Sequence, residues 1–179
     1  MELQILHGIQ GLHNEFLNSV MIFFSTIGNG GMCWIVVSIL LAVIPRTRKC
    51  GFTMMASMAL TFLLGNVFLK NLIAGPRPFM MDNSVTLLIP EPSEYSFPSG
   101  HTANSFAAAV VICAYFRRAG IAALVMAATI AFSRMYLFVH YPTDILGGIA
   151  LGTLDACIVM LCIYRWNRMR GANEAGKTV

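Results

Sequence analysis

Residues 52–73 read FTMMASMALTFLLGNVFLKNLI, and no charge interrupts them before Lys70. A helix needs about 20 mostly apolar residues to cross the hydrocarbon of a bilayer. Pro142 to Trp166 is a second such stretch, and Thr102 to Phe116 is a third that gains length from Ser99 to Arg117. A fourth, Ile121 to Val139, follows the Arg117-Arg118 break. Phe16 to Ile27 and Trp34 to Ile44 are briefer and flank Gly28-Asn29-Gly30-Gly31, a strong turn signal. Lipid tolerates no irregular exposed backbone, so these stretches predict helices. The expected fold is all-α: a polytopic membrane helix bundle of about six transmembrane helices, or five if the glycine cluster only kinks the chain. Residues 1–179 form one domain, with 1–12 as an amphipathic lead-in and 167–179 as a cytoplasmic tail.

Composition agrees. Of 179 residues, 57% are hydrophobic and 11% charged, and the mean hydropathy is +0.70. A soluble domain carries about 25% charged residues. So few charges exclude a soluble globule, a disordered chain and a nucleic-acid-binding domain, despite a net charge of +4. The five cysteines (Cys33, Cys50, Cys113, Cys157, Cys162) show no CxxC pair or Cys/His metal spacing and read as apolar thiols in helices. No Lys or Arg precedes the first apolar stretch, so no cleaved signal peptide is expected.

The cations orient the bundle. Arg46, Arg48 and Lys49 share one connection, Arg117 and Arg118 another, and Arg165, Arg168, Arg170 and Lys177 follow the last span. The positive-inside rule makes that side cytoplasmic. Lys70, Arg77 and Arg134 fall at the opposite ends of their helices, on the side of the long connection from Gly75 to Pro98. Cations near the membrane with no evident partner mark function.

Three clusters meet on that outer side: Lys70 with Arg77-Pro78, Pro98-Ser99-Gly100-His101, and Ser133-Arg134 with His140 and Asp144. Phosphate chemistry calls for this set. Arg offers a forked donor pair and Lys a point charge. The Pro98 to His101 stretch opens a helix whose free amides can face an anion, and Gly100 lets the backbone approach closely. Asp144 lies four residues after His140 and can orient one imidazole nitrogen, leaving the other free to attack phosphorus. His101 has no carboxylate nearby in sequence, which suits a proton donor to the departing oxygen. No metal or cofactor is expected, because Lys70, Arg77 and Arg134 neutralise the phosphoryl oxygens.

The residues resemble the type 2 phosphatidic acid phosphatase superfamily of membrane lipid phosphatases. Its signature, Lys-x6-Arg-Pro, Pro-Ser-Gly-His and Ser-Arg-x5-His-x3-Asp, is complete here from Lys70 to Asp144. The resemblance implies that His140 is the nucleophile of a phosphohistidine intermediate and that Asp144 orients it. His101 would protonate the leaving group and then activate water. Lys70, Arg77, Ser99, Gly100 and Arg134 would hold the phosphate, and vanadate would mimic the pentavalent state. A polyprenyl (undecaprenyl) diphosphate at the outer leaflet of the cell membrane is the expected substrate. Phosphatidic acid or phosphatidylglycerol phosphate, a lipid phosphotransferase and a non-enzymatic anion transporter are the alternatives; the lipid is the one expected partner.

Other features carry less. Asp155 reads as a hydrogen-bonded carboxyl packed between helices. Gly148, Gly152 and Ala156 recur every four residues, which lets helices pack closely. His7 and His13 read as interfacial, and Ser133 as a group orienting Arg134.

Overall fold

The computed structural model describes residues 1–175, and side chains within 1–170; Lys177, assigned above to the tail, lies outside the described residues. All regular structure among them is helical. A short α1 (Glu2–Gln10) leads into α2 (Glu15–Ile27), capped by the Asn14 side chain on the Leu17 amide. A tight turn at Asn29–Gly31, with Gly30 and Gly31 at φ 59° and 71°, joins α2 to α3 (Met32–Val43). Left-handed backbone of this kind is where glycine is needed. Next, α4 (Arg48–Thr61) runs through a π-helical stretch, Phe62–Leu69, into α5 (Lys70–Ile73). A single turn, α6 (Pro78–Met81), lies in the long connection to α7 (Gly100–Tyr115). A sharp reversal at Phe116 gives α8 (Arg117–Tyr136), and Pro142 opens α9 (Pro142–Ala175).

Helix α7 is the central element, packing on α8, α9 and α4. Its buried face is mostly small: Ala103, Ala107, Ala108 and Ala109, with Val111 and Ile112. Small residues let backbones approach where lipid supplies no hydrophobic drive between helices. The four-residue repeat on α9 meets this face. A Cβ at Gly148 would lie 2.8 Å from the Ser99 carbonyl oxygen, and one at Gly152 would overlap the Ala103 carbonyl. Gly152→Val is therefore expected to force α7 and α9 apart. Overpacking costs about 1–3 kcal/mol, more against rigid backbone, and each kcal/mol moves Tm by about 2–4 °C at this size. A thermal melt of the purified variant in detergent should shift down by about 5 °C or more; an unchanged melt would refute the contact.

Large apolar side chains point outward along the bundle, among them Leu40, Phe52, Leu63, Phe68, Val125 and Leu154. That inversion suits lipid as solvent. Two polar contacts tie the interior together: the Trp34 indole donates to Ser105 at 2.9 Å, and Thr61 donates to Asp155 at 2.8 Å. Asp155 is thus the hydrogen-bonded packing carboxyl that its position suggested.

Six spans are not all reached by length and composition. Arg48–Met81, Arg117–Tyr136 and Pro142–Arg170 are each long and apolar enough to cross a membrane, and α2 with α3 meets the test only as a pair bent by 49°. The 16-residue α7 falls short of it, so at most four spans qualify among the described residues. The contacts of α1 show how the α2–α3 pair is arranged. His7 pairs with Asp82 at 2.7 Å, Gln10 donates to the Tyr136 carbonyl at 2.9 Å, and Glu2 accepts from Thr143 at 2.9 Å. All three partners lie on the side of the 75–98 connection. A full reversal at the glycines would instead leave α1 beside Arg46, Arg48 and Lys49. The glycine cluster therefore bends the pair by 49° and does not reverse it, and α2 and α3 are each too short to cross alone.

Candidate active site

His140 sits in the connection between α8 and α9. Phe138, buried and at φ 60°, turns the chain there, with the Leu137 amide on the Ser133 carbonyl at 2.9 Å and the Val139 amide on Arg134 at 3.2 Å. A non-glycine residue in that region is strained and is kept only where its surroundings impose it. The turn delivers a fully buried imidazole.

Asp144, in the first turn of α9, holds that ring. Its Oδ2 accepts from Ser96 Oγ at 2.5 Å, from the Tyr141 amide at 2.8 Å and from His140 Nδ1 at 3.2 Å. With Nδ1–H committed to the carboxylate, Nε2 keeps its lone pair, and Arg77 Nη1 lies 3.3 Å from it. Burial, followed by the charges of Arg77, Arg134 and Lys70, holds the His140 pKa well below the ordinary 6.5. The imidazole is therefore neutral at physiological pH, which a nucleophile requires.

Lys70, Arg77 and Arg134 are each 5% exposed or less. Arg77 is anchored from behind: Nε donates to the Glu94 carbonyl at 2.6 Å and Nη1 to the Val139 carbonyl at 2.9 Å. Arg134 Nη1 donates to Ser25 Oγ, while its buried Nε has no partner. A buried cation with an unused donor points to an anionic ligand. Lys70 differs from the expectation of an unpartnered cation, because its Nζ donates to Glu94 Oε2. That ammonium holds the Glu94 carboxyl below the usual carboxylate range.

One cavity of about 500 Å³ gathers Lys70, Arg77, Gly100, His101, Arg134 and His140. Asp144 stands behind His140. Ser99, expected to touch phosphate, does not line this cavity: its hydroxyl accepts from Thr102 at 3.0 Å and its amide donates to the Asp144 carbonyl at 3.1 Å. It ties the start of α7 to the start of α9. The close approach at Gly100 is to Asn66, whose Oδ1 would lie 2.9 Å from a Cβ there. Ser133 donates to the Ile130 carbonyl at 2.7 Å, one turn back on its own helix, and does not orient Arg134. That oxygen is nearer than any guanidinium nitrogen for a helical serine.

Sequence reasoning missed four neighbours. His101 Nε2 lies 2.9 Å from Asn29 Oδ1, so the bent span delivers an acceptor to this imidazole. Ser25 serves Arg134 from the same span, and no motif marks either residue. Asn66 precedes Lys70 by one helical turn, a spacing that puts both on one face and was legible. Glu94 lay in a connection read only for the side on which it falls.

The PAP2 superfamily profile matches residues 50–168, more than half of the chain. The chain belongs to the PAP2 superfamily. An undecaprenyl-diphosphatase of Sulfolobus acidocaldarius is 37% identical over 76% of this chain and 66% of that protein. Undecaprenyl-diphosphatase BcrC of Bacillus subtilis is 29% identical over 93% of this chain and 84% of its own length. The crystal structure of a transmembrane PAP2-type phosphatidylglycerolphosphate phosphatase from Bacillus subtilis superposes with a TM-score of 0.75 at 27% identity, covering 92% of this chain and 85% of that one. Every PAP2 signature residue falls inside the matched segment, whereas Ser25 and Asn29 lie before it.

Proposed function

We propose that this chain is a membrane phosphatase that hydrolyses a polyprenyl (undecaprenyl) diphosphate through a phosphohistidine on His140. The observation that carries the reading is the cavity in which three buried cations face two imidazoles. The terminal phosphoryl group binds to Lys70, Arg77, Arg134 and the Gly100 amide. Donors aimed at developing negative charge contribute a few kcal/mol each. His140 Nε2 attacks phosphorus while the P–O bond to the leaving group breaks, and His101 gives that oxygen its proton. Water then attacks the phosphohistidine and passes a proton to His101. Inorganic phosphate departs and Nε2 regains its lone pair. Asp144 keeps Nδ1 protonated throughout, and Ser96 fixes Asp144. Ser99 acts on packing and Asp144 placement, away from phosphate.

The diphosphate assignment draws on the two relatives named for it. The structural neighbour named for phosphatidylglycerolphosphate favours that lipid as the second reading. The site faces the extracytoplasmic side of the cell membrane, because its mouth lies opposite Arg46, Arg48, Lys49, Arg117 and Arg118. Three protein cations supply the positive charge that phosphoryl transfer needs. Purified protein is therefore expected to release phosphate from undecaprenyl diphosphate at an undiminished rate in excess chelator. A panel with phosphatidylglycerol phosphate and phosphatidic acid ranks the lipids by kcat/KM. No phosphate from any of them would refute the enzyme. Label appearing on an added alcohol, in place of water, would instead mark a phosphotransferase.

A further inference from the structure

Glu94 is the one residue of the 75–98 connection whose carboxylate reaches a cation of the cavity. Its Oε2 accepts from Lys70 Nζ, which has no other acceptor among the described residues. The backbone beneath it is pinned, since Arg77 donates to the carbonyls of Glu94 at 2.6 Å and Tyr95 at 3.4 Å. The side chain is not: it is 60% exposed, against 6% for Lys70. Glu94 also borders a second cavity, of about 480 Å³, on the outer side of Arg77. The carboxylate can thus leave Lys70 for water while its backbone stays fixed. The Glu94 end of the pair is open to water, so an anion with several formal charges can displace the carboxylate.

We propose that Glu94 is the resident counter-ion of Lys70, displaced by the phosphoryl group of the substrate, and that it thereby sets the affinity of the pocket for phosphate. The inference rests on the phosphate-binding reading above. With no ligand, the carboxylate satisfies a buried ammonium that would otherwise lack an acceptor. When the substrate binds, one oxygen of the phosphoryl group takes its place and Glu94 turns to water. After hydrolysis it returns, competing with product phosphate for Lys70. A residue that merely positioned Lys70 would act in the opposite sense, because its removal would weaken phosphate binding.

Isothermal titration of the purified full chain with inorganic phosphate separates the two. Glu94→Gln and Glu94→Ala are each expected to bind phosphate roughly five- to tenfold more tightly than the parent, the equivalent of about 1 kcal/mol. In a Lys70→Met background the same Glu94→Gln change should have no effect, since the competition runs through Lys70. Failure of either single variant to tighten binding, in protein with an unaltered melting temperature, would overturn the proposal. So would a gain that persists without Lys70. Absence of phosphate binding in the parent and in both variants would instead refute the phosphate pocket itself, and the inference with it.

Discussion

Replacing His140 with alanine is expected to lower phosphate release by about 10⁴- to 10⁶-fold, the scale on which covalent enzymes fail without their nucleophile. Two features of the site set the size of the effect. The Nε2 lone pair faces the cavity because Nδ1–H donates to Asp144. Burial and three cations keep the ring neutral. Neither water nor a neighbouring side chain replaces that nitrogen, since the only other imidazole in the cavity is held by Asn29 on the α2–α3 turn. Lys70, Arg77 and Arg134 remain in the variant, so it should still bind inorganic phosphate. Titration of that anion therefore distinguishes a lost nucleophile from a lost fold. The parent, quenched in alkali during turnover of terminally labelled substrate, should carry acid-labile phosphate on the protein, and the variant none. Turnover within tenfold of the parent would remove His140 from the nucleophile role.

His101→Ala is expected to cost about 10²–10⁴-fold where the departing oxygen is a poor leaving group, the usual worth of a general acid. Phosphatidic acid, which expels an alkoxide, should show the full loss. A polyprenyl diphosphate expels a phosphate that ionises near neutrality, with a second pKa of about 6, and should lose much less in the first step. The second step also uses His101, to take a proton from water. On the diphosphate, the variant should therefore release its first leaving group in a burst and then stall as phosphoenzyme. Rapid-quench measurement of the first turnover against the steady state reads this directly. An equal loss on both lipids, without a burst, would show that His101 acts through structure alone.

The site was more legible in the sequence than the scaffold around it. Lys70, Arg77, Gly100, His101, Arg134, His140 and Asp144 stand out because cations and imidazoles are rare in apolar surroundings and fall within three short stretches of chain. Asn29 and Ser25 did not stand out. Their contacts to His101 and Arg134 depend on how α2 and its turn lean on α7 and α8, and a short polar residue at the end of α2 or in a glycine-rich turn carries no sign of that. Glu94 was equally silent, since an acid in a long connection pairs with a cation only once the connection has folded back. For Ser99 and Ser133 the motif suggests phosphate and Arg134 as partners, whereas the structure places the Ser99 hydroxyl on Thr102 and the Ser133 hydroxyl on the Ile130 carbonyl. The angle between α2 and α3 stayed open for a local reason: four residues, Gly28 to Gly31, can turn a chain by any angle, and the 49° bend is seen only in the folded protein.

The bend between α2 and α3 has a consequence for how this stretch meets lipid. Neither helix is long enough to cross by itself, so the two can enter only as a unit. Nothing up to Pro45 carries a lysine or arginine to hold that unit at a headgroup. The same bareness leaves its depth to be set by what it touches: Ser25 on Arg134 and Asn29 on His101 tether it to the cavity.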